Sequence, residues 1–453
     1  MTTQDASVST STSIALTDGA AAKVAALLAQ EGADDLYLRV EVQPGGCSGL
    51  RYQLFFDNRE LEGDVVRMFG DVKVITGKLS DPYLMGATID FVDTIEKQGF
   101  TIDNPNAQGS CACGDSFNYS WVLLVDSRPM KIGVAGSVGR DHIMTFPGKF
   151  SDSVVVGSLE KISLSFLVDG LEVRRGGCAA NICFGLGVLG HKPVLIAAVG
   201  KDWPDYNAWL TRHGVDTSHA LVSTTQFTAL FTVTTDSEHN QFASFFPGAM
   251  SEARDIELQP IIDKEGTLDL LVISPDDPSA MLRHTEVARS KGIPILADPS
   301  QQMARLSGEE IRALIDGATY LFMNEYELAL AIQKTGWSDD EILDRVKYRV
   351  VTLGAEGSRV ESRTSPTVTV TCPQERAKVD PTGVGDSFRS GFVAGLAWGL
   401  SHERCAQIGS MLATYVIETM GTQEYTFTPT EFLDRFEGAY GADARLEVAA
   451  HLH

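Results

Sequence analysis

Seven consecutive residues have the types and spacing for phosphoryl chemistry: Asp380-Pro381-Thr382-Gly383-Val384-Gly385-Asp386. Pro381, Gly383 and Gly385 punctuate a tight turn. Beyond it, Phe388, Phe392, Val393, Leu396 and Ala397 fall at helical spacing. Glycines let backbone N–H groups turn towards one point, and a helix N-terminus presents more of them. The amides of Gly383, Val384, Gly385 and Asp386 therefore read as a hole for a phosphate oxyanion. Asp386 sits at its rim. An anion site gains nothing from a carboxylate, whose charge opposes the ligand. The side chain makes sense as a base that takes a proton from a hydroxyl attacking phosphorus. The other reading is a turn with an acidic helix cap, because Asp favours the first turn of any helix.

The cysteines form a second group. Cys111-Ala112-Cys113 places two thiols on a glycine-flanked segment, and Cys47 lies in Pro44-Gly45-Gly46-Cys47-Ser48-Gly49. Three thiolates without a fourth suit a soft metal, or an iron–sulfur cluster shared across a dimer, because clusters take four ligands. Three unrelated free cysteines remain the alternative. Cys178, Cys183, Cys372 and Cys405 have no metal spacing. An odd total of 7 in a long chain argues for reduced thiols in a cytoplasm.

The elements that must position these groups fall into two sets. In residues 1–118, Thr17-Asp18 caps a helical pattern ending at Gly32. Runs at Leu36–Val42, Tyr52–Phe56, Val65–Phe69, Val72–Ile75 and Ile89–Val92 read as strands. Residues 119–129 form a short apolar joint. From 130 to 453, strand patterns such as Leu268–Ile273, Pro294–Ala297, Thr319–Met323 and Arg349–Leu353 alternate with helical ones, which predicts a doubly wound, mostly parallel α/β sheet. Ligands in such sheets bind at the carboxyl ends of strands. Two segments, about 154–175 and 226–246, interrupt the alternation with β-type runs, Ile162–Val168 among them. They predict a small separate sheet, a lid that excludes water and offers an apolar face for a dimer; extra strands on the main sheet are the alternative.

Bulk properties narrow the classes. Of 453 residues 43% are hydrophobic, enough for sizeable cores. No apolar run reaches the ~18–20 residues of a membrane span, and the Ser/Thr-rich N-terminus has no secretory pattern. A net charge of −23 disfavours nucleic acid and anionic membranes as partners.

At the motifs themselves the chain resembles two families. Asp-Pro-Thr-Gly-Val-Gly-Asp with its helix resembles the signature of the ribokinase-like (PfkB) kinases. The resemblance implies ATP, Mg²⁺ and γ-phosphate transfer to an alcohol. It also implies roles for further residues: Asp141, with Ser137 in the preceding loop, on a ribose diol, and Gly177 and Asn181 of the Gly-Gly signature on the sugar. Asn324 and Glu327 would place Mg²⁺ and phosphate, largely through water. Thr352, Gly354 and Gly357 would lie near the nucleotide. Asp380 and Thr382 could hold K⁺. Ala243–Ala253, Asp298–Gln302 and Gly421–Glu424 are similar to the adenosine kinases of actinobacteria, which implies Phe231 and Phe245 stacked on a purine beside Gln301 and Gln302. Aromatic faces with amides suit a purine, although alternating Phe in strands also packs cores. The Gly45–Gly49 loop, Ile89–Asp93, Phe100–Ala107 and the Cys-x-Cys segment resemble the A-type iron–sulfur carriers. That implies a [2Fe–2S] or [4Fe–4S] cluster on Cys47, Cys111 and Cys113, and assembly or recipient proteins as partners. The expectation is thus an adenosine kinase fused to a cluster carrier, cytoplasmic and homodimeric. The alternatives are a ribose or fructose kinase of the same family, or a carrier with an inactive kinase-like scaffold.

Overall fold

In the computed structural model, residues 14–452 are described apart from 32–35, 45–49, 62, 78–79, 94–97, 105–106, 111–115, 120–127 and 154–164. The chain divides into two compact units, Met1–Arg128 and Pro129–His453.

The first unit is β-rich. A helix, Asp18–Glu31, accompanies a six-stranded sheet and a three-stranded one. In Tyr37–Pro44, Leu38 and Val40 face a core with Ile14, Val24, Val72, Val74, Leu84 and Ile89. Asn104 ends the Phe-Thr-Ile-Asp-Asn run, and its Nδ2 donates to Tyr52 Oη and Tyr83 O, both at 2.9 Å. Cys47, Cys111 and Cys113 lie outside the described residues. The strands that follow their loops, Leu50–Asp57 and Ser116–Tyr119, pair with each other, Leu50 opposite Phe117.

The second unit is a ribokinase-like α/β fold. Its main sheet runs Val194–Ile196, Ile132–Ala135, Leu270–Ile273, Ile295–Ala297, Tyr320–Asn324, Tyr348–Thr352, Ser358–Glu361, Val368–Val370. The first six are parallel and the last two fold back antiparallel. Runs such as Leu270-Leu271-Val272-Ile273 are buried throughout, as a parallel sheet covered on both faces requires. The strand order reverses at Ile132–Ala135, so a crevice opens beyond its carboxyl end, at Gly136 to Val138.

A separate four-stranded sheet forms the lid, in the order Gly170–Gly176, Gly139–Thr145, Ala229–Thr235, Gln241–Phe246. Its first two strands depart from the sequence reading. Of the Ile162–Val168 run, 162–164 lie outside the described residues and 165–168 are not strand. Gly139–Thr145, a Gly-Arg-Asp-His-Ile-Met-Thr stretch, has weak β-propensity. It becomes a strand because partners pair with it on both sides.

Small residues after Asp386 bring backbones together. Helices Val384–Ala397 and His402–Ile417 pack so closely that a Cβ on Gly391 would lie 2.7 Å from Gly409 Cα and from Ile408 O. Gly391→Ala is therefore expected to push this helix pair apart at a cost of about 1–3 kcal/mol. Urea denaturation of the full chain would measure it; an unchanged midpoint would mean the contact yields freely.

Candidate active site

A cavity of about 530 Å³ lies at the crevice and is lined by residues from both sheets. It gathers Ser137, Asp141, Gly177, Asn181, Phe231, Phe245, Gln301, Gln302, Asn324, Glu327, Thr352, Thr382, Gly383, Gly385 and Asp386. Sequence separation between its ends exceeds two hundred residues, so the fold, not local pattern, assembles it.

Its floor is the glycine turn. Gly383, at φ +78°, is the N-cap of the helix Val384–Ala397. Among the described residues the amide of Ser387 reaches Gly383 O and that of Val384 reaches Pro381 O, while those of Gly385 and Asp386 have no acceptor. Two free N–H groups at a helix N-terminus can receive an anion. Asp386 is half-buried beside them. Burial pushes its carboxyl up to about 6, against the pull of Arg389 and of a hydrogen bond from Asn181. That bond, Asn181 Nδ2 to Asp386 Oδ2, is 2.8 Å. Asn181 cannot flip, because its Oδ1 accepts from Gln423 Nε2 and lies 2.8 Å from the Thr422 hydroxyl. An asparagine on a sugar could offer both a donor and an acceptor, but Asn181 here cannot. Its carbonyl is engaged by two partners and one amide hydrogen by Asp386, which leaves one hydrogen for a ligand.

The helix that carries Asn181 starts at Gly177, where φ is +95° and a Cβ would lie 2.6 Å from Val138 Cα and Gly139 N. Ser137 accepts its first amides, from Cys178 to Oγ at 3.2 Å and from Ala179 to the carbonyl at 3.1 Å. Ser137 thus holds the Gly-Gly turn as well as lining the cavity.

The lid contributes one row. Arg174, Asp141, Phe231 and Phe245 are successive cross-strand neighbours. Asp141 is raised to about 6 by burial and by the charge of Asp380. Phe231 and Phe245 are 37% and 51% exposed, so neither ring is packed as core. Across the cavity, Gln302 donates from Nε2 to Asp276 O at 2.8 Å, and its Oε1, though buried, has no partner among the described residues. Gln301 Nε2 points to Cys178 Sγ at 3.6 Å.

Asn324 and Glu327 have a local duty that the sequence reading missed. They form a capping box: Asn324 Oδ1 accepts from Glu327 N, and Glu327 Oε2 from Asn324 N, both at 2.8 Å. One oxygen, Glu327 Oε1, is left for water or metal. Asp380 is likewise engaged, by the amides of Thr382 at 2.9 Å and Gly421 at 3.1 Å. Asp380 and Val384 do not line the cavity. Nor do Gly354 and Gly357, which shape the turn after Thr352; Gly357 lies against Val370 O. Cavity residues to which the reading gave no role include Arg140, Pro275, Arg305 and Arg389. Position Arg389, one helical turn after Asp386, could have flagged the last.

A free-amide turn, an adjacent carboxylate and a β-lid over a crevice define a ribokinase-like phosphotransferase. The sequence matches the pfkB family carbohydrate kinases over residues 151–430 and the iron–sulphur cluster biosynthesis proteins over 12–115. A nucleoside kinase of Methanothermobacter thermautotrophicus is 30% identical over 308 residues, 67% of this chain and 98% of that one. The iron–sulfur cluster insertion protein ErpA of Alkalilimnicola ehrlichii is 52% identical over 105 residues, 23% of this chain and 86% of that one. The Burkholderia thailandensis nucleoside kinase, solved in complex with inosine, is 32% identical with a TM-score of 0.60, covering 69% of this chain and 98% of that one. The chain belongs to the pfkB carbohydrate kinase family, and its N-terminal unit to the iron–sulphur cluster biosynthesis family. No described helix is long and apolar enough to cross a membrane.

Capping and ligand roles at Asn324 separate experimentally. Asn324→Ser keeps a cap, whereas Asn324→Ala removes it at about 1 kcal/mol. If the residue only caps, phosphorylation should follow stability in both variants; equal loss of turnover in the two, with Asn324→Ser as stable as wild type, would assign it to the ligand.

Proposed function

We propose that the second unit transfers the γ-phosphate of ATP to the 5′-hydroxyl of a purine nucleoside, adenosine first. The observation that carries this reading is the Asp386 carboxylate, fixed by Asn181 beside the free amides of Gly385 and Asp386 and facing the cavity. The half-exposed Phe231 and Phe245 are free to stack on a planar base, and Gln301 and Gln302 to bond its edge. Asp141, next to Phe231, is placed for a ribose diol. A relative solved with inosine supports a purine and makes inosine the second candidate. In this reading Asp386 accepts the hydroxyl proton as the oxygen attacks, and the amides of Gly385 and Asp386 take up charge on the phosphoryl. Glu327, with one carboxylate oxygen not engaged by the cap, fits a water-mediated hold on Mg²⁺. When bound with ATP, that ion neutralises phosphate charge. Asp380, Thr382 and the Gly421 turn lie together and are our candidates for a K⁺ site.

A base must be ionised to act. With Asp386 at about 6, kcat/KM is expected to fall tenfold per unit below pH 6 and to level above it. Asp386→Asn is expected to lower kcat by roughly 10²–10⁴ with little change in nucleoside affinity. An ADP-release assay across adenosine, inosine, ribose and fructose decides both substrate and role. Near wild-type turnover in Asp386→Asn removes the residue from its role, and a preference for ribose or fructose overturns the purine reading.

For the first unit we propose that Cys47, Cys111 and Cys113 carry a [2Fe–2S] or [4Fe–4S] cluster for recipient proteins, in a homodimer that supplies further ligands. Reduced thiols at these three cysteines suit a cytoplasm. Anaerobically purified protein is expected to contain iron and sulfide, and to lose both when the three cysteines become serine. Full retention would contradict the assignment.

A further inference from the structure

Arg389 and Asp298 are 5% and 1% exposed, and their pairing has no place in the machinery proposed above. Arg389 Nη2 donates to Asp298 Oδ1 at 2.5 Å and to Ser300 Oγ at 3.1 Å, and its Nε lies 2.5 Å from Asp298 Oδ2. Ser300 Oγ also donates to Asp298 Oδ1 at 2.7 Å. Ser300 is one of two described non-glycine residues with positive φ, +40°. Such a backbone persists only when its surroundings hold it. Here the hold is this buried pair, and the next two residues are Gln301 and Gln302 at the cavity wall. The guanidinium reaches the other way too. Its Nη1 lies under the glycine turn, where a Cβ on Gly385 would come within 2.8 Å of it. One cation therefore touches both the turn that carries Asp386 and the loop that faces the base subsite.

We infer that Arg389 is a positioning residue of this site, a counter-ion that keeps the Asp386 carboxylate charged while tying its turn to the Ser300–Gln302 loop. The inference rests on the kinase reading of the site. A salt bridge built only for stability would leave Asp386 indifferent. The groups facing Asp386 speak against that. They are Cys178 and Asn181 from the helix Cys178–Val188, Asp298 from the loop after Ile295–Ala297, Tyr425 before the C-terminal helices, and Arg389. Cys178 is pushed up by burial and by the Asp386 and Asp298 charges, and Tyr425 by burial and Asp386, so both stay neutral. Asp298 carries the same sign as Asp386. Arg389 is thus the cation of the set, and it also draws down the Glu327 carboxyl, which burial raises.

The test compares full chains bearing Asp298→Asn alone and Asp298→Asn with Arg389→Gln, so that the two differ only in the charge of Arg389. The Asp386 carboxyl is followed by ¹³C NMR titration, its signal assigned by its loss in Asp386→Asn. Neutralising Arg389 is expected to move the midpoint up by about one unit or more, as loss of a neighbouring opposite charge does, and to move the acid limb of kcat/KM with it. A midpoint that stays put, in a variant that melts like its parent, overturns the inference. If wild type phosphorylates no nucleoside, the kinase reading fails, while the titration still decides the counter-ion role. Arg389→Lys, which keeps a cation, is expected to hold the midpoint near wild type; an upward move as large as in the glutamine variant would also count against it.

Discussion

In the proposed reading, the site depends on keeping a carboxylate ionised where burial works against it. As the proposed base, Asp386 would face a cavity that excludes water, because water competes for the phosphoryl. The same exclusion favours its neutral form and pushes it up to about 6. The Arg389 charge and one hydrogen bond, from Asn181 Nδ2 at 2.8 Å, offset part of that penalty, and the bond aims the carboxylate. Everything around Asn181 serves to hold that amide in one orientation. Gln423 and Thr422 lock its oxygen, Tyr206 Oη, 2.6 Å from Gln423 Nε2, holds Gln423, and the Gly176 carbonyl accepts from the same Tyr206 hydroxyl. The chain of bonds thus returns to the Gly-Gly turn from which the Asn181 helix begins.

The lid and the main sheet meet at that turn. Gly176 ends the lid strand Gly170–Gly176, and Gly177 starts the helix that lies on the main sheet. A Cβ at Gly176 would press on the Asp141 carboxyl at 2.8 Å. The Gly176–Gly177 turn thus lies between Asp141 of the lid and the helix that carries Asn181. In the proposed reading, closure on a nucleoside and alignment of Asp386 would be one event.

Local chemistry was legible in the sequence; pairing across distance was not. The Gly383–Asp386 turn could be read because glycine spacing and the apolar period of its helix lie in one stretch. The buried parallel strands could be read because a strand covered on both faces is apolar throughout. Gly139–Thr145 could not, since its strand state is imposed by neighbours at Ala229–Thr235 and Gly170–Gly176. Asn324 and Glu327 were seen as ligands but not as a capping box, although the spacing is the same for both. Arg389 was hidden by its helix: a charge among small and apolar residues gives no hint that its partner is Asp298, ninety-one positions away. Cys178, for which the sequence offered only the absence of metal spacing, lines the cavity.

The most direct measurement is a crystal structure of the full chain with adenosine and a non-hydrolysable ATP analogue. The account predicts an Asp386 carboxylate oxygen at about 2.6–3.2 Å from the ribose 5′-oxygen, with the purine between Phe231 and Phe245. A 5′-hydroxyl that bonds elsewhere, with Asp386 turned wholly to Asn181 or Arg389, would contradict it.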